Sequence, residues 1–241
     1  MSERLATHGL ARDFGAGAGV FGIDLTVGAG EIHALVGLNG AGKTTLMRLV
    51  LGMLHPAAGT CRINGLHLAD LGAAGWARVG HLVESPFAYP ELDVRTNLLL
   101  AARLRRIPTP DAARLVERAL TELDLGRYAR IPARRLSQGN RQRVGLAAAI
   151  QHHPDLIVVD EPTNALDPAG VIVLRDALTR RAGAGAGILV SSHHLDEVAR
   201  IAHRISVVNR GRIIGTLDPD ATDLERAFFT LVYDNEQEHP R

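Results

Sequence analysis

Short apolar runs bounded by turn residues recur along the chain and alternate with segments of helical periodicity. The clearest runs are IHALV (32–36), GHLV (80–83), LIVV (156–159) and GILV (187–190). Their length and their branched residues are typical of buried parallel strands. Helical segments are predicted at about 42–54, 168–181 and 194–203, and the second opens with Asp167 as N-cap and Pro168 at the first helical position. This alternation predicts an α/β fold with a mainly parallel sheet.

Residues 88–150 interrupt the alternation. Helices are predicted near 93–106, 111–123 and 138–151, with prolines between them and no clear strand, which indicates a helical subdomain inserted between two strands of the sheet. Its 12 arginines and 6 acids give it a formal charge of +6. Two interpretations of that excess stay open: a solvated helix face, or an electrostatic role near phosphates or lipid headgroups. The first 30 residues predict a small antiparallel β-element.

Length and composition predict a single domain over 1–241. Residues 1–87 and 151–220 form its core, 88–150 the helical subdomain, and 221–241 a C-terminal helix and tail. The lone Cys61 fits a reducing compartment, and the charged N-terminus does not resemble a signal peptide. No apolar run is long enough to span a bilayer, so we expect a cytoplasmic protein without direct membrane insertion. A net charge of +1 gives no field that favours nucleic acid as a partner.

Each main strand ends in chemically notable residues. The first leads into Gly37–Lys43, the second into Glu84, the third into Asp160 and Glu161, and the fourth into Ser191–His193. Parallel strands bring their carboxyl ends to one edge of the sheet, where ligands of open α/β folds bind. The sequence therefore predicts one site at that edge. It also raises the question of whether Glu84, in GHLVESPF, is an ordinary loop acid or part of the chemistry.

The segment 37–44, GLNGAGKT, fits a phosphate-binding loop between a strand and a helix. Its glycines allow backbone N–H groups to point inward, and the helix N-terminus favours negative charge. Lys43 would reach the terminal phosphates of a nucleotide, and the Thr44 hydroxyl would ligate Mg²⁺. Of the 27 basic residues, Lys43 is the only lysine, which indicates a site that accepts a slender ammonium and not a wide guanidinium.

Two acids follow the third strand in LIVVDE (156–161). Asp160 is a candidate Mg²⁺ ligand, and Glu161 is a candidate general base for the attacking water. An isolated acidic pair is as often an exposed turn, so the phosphate loop is what favours catalysis here. The pairs His152-His153 and His193-His194 invite a metal-ligand interpretation, but adjacent side chains diverge on a helix or strand, which disfavours it.

LSQGNRQR (136–143), LIVVDEPTNALD (156–167) and SSHHLDE (191–197) resemble, in order and spacing, motifs of the nucleotide-binding subunits of ATP-binding cassette (ABC) transporters. The resemblance runs from about residue 4 to 230 and implies a P-loop NTPase (RecA-like) core, ATP and Mg²⁺ as ligands, and ATP hydrolysis. It implies nucleotide contacts by Phe14, Asn39, Gly40, Ala41, Gly42, Lys43, Thr44 and Thr45, and Mg²⁺ contacts by Thr44, Asp160 and Glu84. It implies catalysis by Glu161, His193 and Lys43, contact with ATP on a second subunit by Ser137, Gly139 and Asn140, and a D-loop role for Asp167.

Three residues depart from the usual family pattern. The signature reads LSQGN where LSGGQ is common, so Gln138 and Asn140 replace a glycine and a glutamine. Phe14 stands where a tyrosine is commoner, and Glu84 stands where glutamine is usual. In having glutamate at this position, the chain resembles the group of exporters for antibiotic peptides, which includes lantibiotic-immunity and bacitracin-resistance transporters.

The resemblance implies an ATPase subunit of an exporter for a peptide antibiotic or drug. It would act as a homodimer or paired with a related ABC subunit, and it would be held at the inner face of the cell membrane by separate integral membrane permease subunits. Two alternatives stay open: a soluble ABC ATPase that acts on ribosomes or DNA, and the ATPase of an importer. The importer would be expected to carry glutamine at position 84.

Overall fold

The computed structural model describes residues 2–86 and 88–238, so the predicted tail at 239–241 lies outside the described residues. The strands are β1 Glu3–Gly15, β2 Ala18–Gly28, β3 Ile32–Val36, β4 Ala58–Ile63, β5 Leu66–His67, β6 Val79–Leu82, β7 Leu156–Val159, β8 Gly187–Ser192, β9 Arg204–Asn209 and β10 Arg212–Leu217. The helices are α1 Lys43–Val50, α2 Ala73–Trp76, α3 Val94–Leu104, α4 Thr109–Glu122, α5 Gln138–Ile150, α6 Pro168–Gly183, α7 Leu195–Ala199 and α8 Leu224–Glu238. The α/β prediction is confirmed.

Two sheets form the framework. The larger has the order β10-β9-β3-β8-β7-β6, and its members pair in parallel except β9 with β10. The smaller is antiparallel, with the order β2-β1-β4-β5. The N-terminal β-element is therefore real but larger than predicted, because residues 58–67 add two strands to it.

The larger sheet is covered on both faces. Ile32, Ala34 and Val36 of β3 join a core with the helices α3–α6, whereas Leu35 packs into a second core with α1 and the smaller sheet. Because every residue of β3 is buried, its sequence is an uninterrupted apolar run apart from His33. His33 is accommodated by hydrogen bonds of 2.9 Å to the Thr26 carbonyl and 2.8 Å to Ser206 Oγ.

The helical subdomain is present where it was predicted, as α3, α4 and α5 between β6 and β7. Asp93 caps α3 by accepting a hydrogen bond of 2.7 Å from the Thr96 N–H, and Ser137 caps α5 in the same way from Asn140. A Cβ on Gly145 of α5 would crowd Pro86, which follows β6. This close approach packs α5 directly against the loop that carries Glu84.

Two predicted helices end earlier than the sequence suggested. The first was predicted to reach residue 54, but α1 ends at Val50 because Gly52 takes a left-handed backbone and the N–H of Met53 turns back to the Arg48 carbonyl. The prediction of a helix over 194–203 is wrong beyond Ala199. There the His203 N–H donates to the Ile32 carbonyl and the chain enters the sheet as β9.

Three glycine backbones join the two sheets beside the phosphate loop. The Gly211 N–H donates to Ala41 O at 2.8 Å, and a Cβ on Gly211 would overlap the Gly19 carbonyl. A Cβ on Gly42 would lie 3.1 Å from the Gly19 carbonyl oxygen and 3.1 Å from the Gly211 Cα. The smaller sheet is therefore fixed to the phosphate loop by main-chain contacts that leave no room for side chains.

Candidate nucleotide site

The phosphate loop connects β3 to α1 at the carboxyl edge of the larger sheet. Gly40 and Gly42 have φ values of 80° and 107°, a left-handed conformation that favours glycine. A Cβ on Gly40 would meet nothing within 4 Å, so the loop opens onto free space there. With the N-terminus of α1 directly behind it, the loop is suited to hold an anion.

Lys43 crosses this loop and is only 6% exposed. Its Nζ donates to the Gly37 carbonyl at 2.6 Å and lies 3.4 Å from Glu161 Oε1. A weaker hydrogen bond of 3.4 Å goes to the Leu38 carbonyl, so the ammonium is held inside the loop by two carbonyls and one carboxylate. Phosphate oxygens at this position would compete with Glu161 for the same charge.

Asp160 is held by two hydroxyl groups at the end of β7. Thr44 Oγ1 donates to Asp160 Oδ2 at 2.6 Å, and Ser191 Oγ donates to Asp160 Oδ1. The hydroxyl of Thr44 and the carboxylate of Asp160 are hard oxygen donors, the kind that Mg²⁺ prefers. The donor set at this point therefore fits a Mg²⁺ ion that also contacts phosphate.

Glu161 lies between Lys43 and His193. Its Oε2 accepts a hydrogen bond of 2.8 Å from His193 Nδ1, and its backbone N–H donates to Ser191 Oγ at 2.9 Å. Glu161 has a φ of 46°, a strained conformation for a residue with a side chain. With this backbone, the Glu161 carboxylate faces the phosphate loop and contacts Lys43.

Glu84 follows β6 and lines a cleft of about 470 Å³ together with Asp160, Glu161 and Gln138. Its carboxylate forms an ion pair with Arg48 of α1. Glu84 also has a left-handed backbone, with φ at 68°. It is therefore no remote surface acid, because it shares a cleft with the two acids that follow β7.

A second concavity, of about 260 Å³, lies on the other side of the loop. It is lined by Phe14 of β1 and by all the phosphate-loop residues from Asn39 to Thr45. The Phe14 ring is half exposed, and the Arg12 guanidinium carbon lies 5.5 Å from its centroid. An exposed aromatic face beside a phosphate loop suits a stacked purine.

The signature residues lie at the N-terminus of α5. Ser137 is exposed, and its Oγ accepts from the Asn140 N–H at 3.2 Å, while a Cβ on Gly139 would overlap the Ala165 carbonyl. Glycine at 139 is therefore required for the close approach of the segment after Glu161. The three predicted signature positions, Ser137, Gly139 and Asn140, lie in one turn and close to that segment.

Asp167 caps α6 by accepting from the Gly170 N–H at 2.8 Å. That bond holds the pKa of Asp167 below its usual value, and Arg143 contributes in the same direction. Arg143 Nη2 donates to Asp167 Oδ1 at 3.0 Å and Nη1 to Asp124 at 3.4 Å. The buried Arg143 therefore ties the start of α6 to the helical subdomain.

The residues that follow the strand ends lie together at one edge of the sheet, with contacts among Lys43, Thr44, Asp160, Glu161 and His193. Three supporting residues were not predicted as site residues: Ser191, Arg48 and Arg143. Ser191 carried a signal, since a hydroxyl residue ended a buried strand. Arg143 lies in the segment LSQGNRQR but was given no role, and nothing in the sequence distinguishes Arg48 from the other arginines.

Comparison with known proteins agrees with this geometry. The sequence model described as ABC transporter matches residues 20–164. The bacitracin transport ATP-binding protein BcrA of Enterococcus faecalis is 36% identical over 215 residues, which cover 89% of this chain and 69% of that protein. The daunorubicin resistance ATP-binding protein DrrA3 of Streptomyces coeruleorubidus is 35% identical over 216 residues, covering 89% of this chain and 68% of that protein.

Solved structures with a similar fold also come from ABC transporters. The structure of an ATP-binding subunit of an ABC transporter superposes with a TM-score of 0.82 at 29% identity and covers 98% of both chains. CbiO1 of Clostridium perfringens, part of the ABC transporter complex cbiONQ, superposes with a TM-score of 0.79 at 24% identity, which supports the fold. The chain belongs to the ABC transporter family and is an ATP-binding ATPase subunit of that family.

Proposed function

We propose that this chain hydrolyses ATP to power the export of a peptide antibiotic or drug through separate membrane subunits. The observation that carries the ATPase part is the contact of Glu161 with both Lys43 and His193 beside the phosphate loop. The export part is supported by the relatives, which are named for bacitracin transport and daunorubicin resistance.

ATP is proposed to stack its base on Phe14 and to place its phosphates in the loop over residues 39–45, with Lys43 on the terminal phosphates. Thr44 and Asp160 are proposed to hold Mg²⁺, and Glu84 to face it across the shared cleft. Mg²⁺ would supply charge neutralisation on the phosphates. The hydroxyl–carboxylate pair at 2.6 Å supports this assignment.

Glu161 is proposed to accept a proton from the attacking water while His193 holds the carboxylate and faces the γ-phosphate. The hydrogen bond of 2.8 Å between them supports this role, because it fixes one carboxylate oxygen and leaves the other near Lys43. When phosphate takes over Lys43, Glu161 Oε1 becomes available to the water.

A second ABC subunit is proposed to complete each site, either another copy of this chain or a related partner. Ser137, Gly139 and Asn140 would then contact ATP bound by the opposite subunit, and Asp167 would lie at the interface. The exposed turn at the N-terminus of α5 supports this, because its backbone and the Ser137 side chain face outward, where an anion would be favoured.

The proposed site of action is the inner face of the cell membrane, through contact with permease subunits. None of the helices between residues 2 and 86 or 88 and 238 combines the length and apolar character that a bilayer crossing needs. Under the proposal, the substrate pathway therefore belongs to the membrane partners.

The test is to co-express the chain with the membrane proteins of its host, purify it in detergent, and identify what is retained. We expect permease subunits, and we expect their antibiotic ligand to stimulate the ATPase activity of the complex. A Glu161→Gln complex serves as the control, since it should retain the partners without the stimulation. Recovery of ribosomes or DNA in place of a membrane partner would reject the export proposal.

A further inference from the structure

Three carboxylates line the cleft beside the phosphate loop: Glu84, Asp160 and Glu161. Each has a different partner in the structure. Asp160 accepts from two hydroxyls, Glu161 pairs with Lys43, and Glu84 pairs with Arg48. Thr44 and Lys43 belong to the proposed catalytic machinery, and the Ser191 hydroxyl supports Asp160 from the neighbouring strand. Arg48 is the one charged partner in this set that the function proposed above does not use.

Arg48 follows Thr44 by four residues on α1, so the two side chains lie on the same face of the helix, about one turn apart. Thr44 is the residue whose hydroxyl contacts Asp160. The ion pair therefore joins Glu84 to the face of α1 that carries Thr44, and Glu84 lines the same cleft as Asp160.

The backbone around Glu84 is held independently of this pair. The Asp160 N–H donates to the Leu82 carbonyl at 2.8 Å, and Pro86 packs closely on Gly145 of α5. Glu84 lies between these two fixed points. Because its backbone is anchored on both sides, Arg48 governs mainly where the side chain points.

The pair is more exposed than the other ion pair of the site. The side chains of Arg48 and Glu84 are 38% and 51% exposed, against 6% and 17% for Lys43 and Glu161. Solvated pairs of this kind contribute little to stability and separate easily. A divalent cation held by Thr44 and Asp160 at this cleft would be a strong competitor for the same carboxylate.

We propose that Arg48 is a positioning residue that holds the Glu84 carboxylate beside the Mg²⁺ site and competes with Mg²⁺ for it. The proposal deepens the function given above, because it rests on the Mg²⁺ site at Thr44 and Asp160. Arg48 acts through Glu84 and does not itself contact nucleotide.

The test measures ATP binding by calorimetry on the isolated chain, once in EDTA and once with Mg²⁺. The dissociation constant in EDTA divided by the dissociation constant with Mg²⁺ reports how strongly Mg²⁺ and ATP support each other's binding. With Arg48→Gln we expect this ratio to rise about two- to fivefold, the range for an exposed ion pair, because Glu84 is released to the metal. Arg48→Lys should leave the ratio near that of the unmodified chain.

The decisive comparison is made in a Glu84→Gln background. There Arg48→Gln should have no effect on the ratio, because the carboxylate through which it acts is gone. A matched control is Arg95→Gln, which breaks an ion pair with Glu117 of nearly equal exposure, 38% and 57%, in the helical subdomain. That variant should leave the ratio unchanged.

Three results would overturn the proposal. The first is an unchanged ratio in Arg48→Gln. The second is an equal shift by Arg48→Gln in the chain with Glu84 and in the Glu84→Gln background. The third is a shift by Arg95→Gln as large as that by Arg48→Gln. The double variant and Arg48→Lys also exclude misfolding as the cause, since both should bind ATP normally in EDTA. Failure of the metal site itself has a different signature: Mg²⁺ would then leave ATP binding unaffected even in the unmodified chain. Failure of the export proposal would not alter any of these measurements.

Discussion

Replacement of Glu161 by glutamine removes one charge from the site and keeps the shape of the side chain. The carboxylate accepts from His193 and lies 3.4 Å from the Lys43 ammonium. An amide oxygen can still accept from the histidine, but it neither takes a proton from water nor balances the lysine charge. We therefore expect two effects of opposite direction, one on turnover and one on ATP affinity.

Turnover should fall by about 10²- to 10⁴-fold, the usual contribution of a general base. For affinity, a unit charge pair at this distance and an effective dielectric near 20 amounts to about 5 kcal/mol of Coulomb attraction. Desolvation offsets most of it. A remainder of about 1.4 kcal/mol would tighten ATP binding about tenfold, because phosphate no longer competes with Glu161 for Lys43.

The assay is single-turnover hydrolysis together with calorimetric ATP titration, and size-exclusion chromatography with ATP should reveal a stabilised dimer. Glu117→Gln, the same exchange at an exposed ion pair of the helical subdomain, should change none of these quantities. Hydrolysis by Glu161→Gln at the normal rate would mean that another group is the base. Slow hydrolysis with unchanged ATP affinity would refute the competition for Lys43.

Other variants and conditions test the remaining parts of the structure. Lys43→Ala should weaken ATP binding about 10- to 100-fold in a calorimetric titration, because charged hydrogen bonds to phosphate are lost. Gly139→Ala should lower the free energy of unfolding by about 1–3 kcal/mol in urea, since its Cβ overlaps a carbonyl, whereas Gly126→Ala, whose Cβ meets nothing, should be near neutral. Burial lowers the pKa of His33 to about 4 and that of His152 to about 3, so the unfolded chain binds more protons below the ordinary value of 6.5. Urea titrations should therefore show stability falling as the pH drops below about 6.5, by up to roughly 1.4 kcal/mol per pH unit for each histidine.

The centre of the fold was predictable because its strands are buried on both faces. Ile32–Val36 and Leu156–Val159 have the predicted bounds, and their apolar character needs no partner to be recognised. The strands of the smaller sheet gave a weaker signal. Ala58–Ile63 mixes exposed and buried positions and contains Gly59 with a left-handed backbone, so its pairing with β1 depends on contacts that are distant in sequence.

The strands β9 and β10 were missed for a related reason. The predicted helix ran up to residue 203, directly before Arg204–Asn209, and nothing local marks the change of conformation after Ala199. The end of the helix is instead determined by a tertiary contact, since the His203 ring accepts a hydrogen bond of 3.0 Å from the Ile32 N–H. A residue whose conformation is set by a strand 171 positions earlier cannot be assigned from its neighbours alone.

The candidate site likewise contains residues whose proximity could be predicted from the sequence and residues whose proximity could not. Lys43, Thr44, Asp160 and Glu161 are adjacent to strand ends, so sequence order and parallel pairing were sufficient to bring them together. The Arg48–Glu84 pair depends on a helix face and a loop conformation. Neither is encoded in the spacing of the two residues.

The glycine contact between the two sheets has a consequence for how this site can change over time. Gly19, Gly42 and Gly211 touch through their backbones, so no single replacement can be absorbed by a different rotamer of a neighbour. A side chain at Gly42 or Gly211 would meet the main chain of the other glycines, and one at Gly19 would overlap the Arg12 carbonyl. Each of the three replacements would therefore require a shift of the main chain near the phosphate loop. Sequence changes that adapt this ATPase to new partners are expected at positions where a side chain can be exchanged without such a shift.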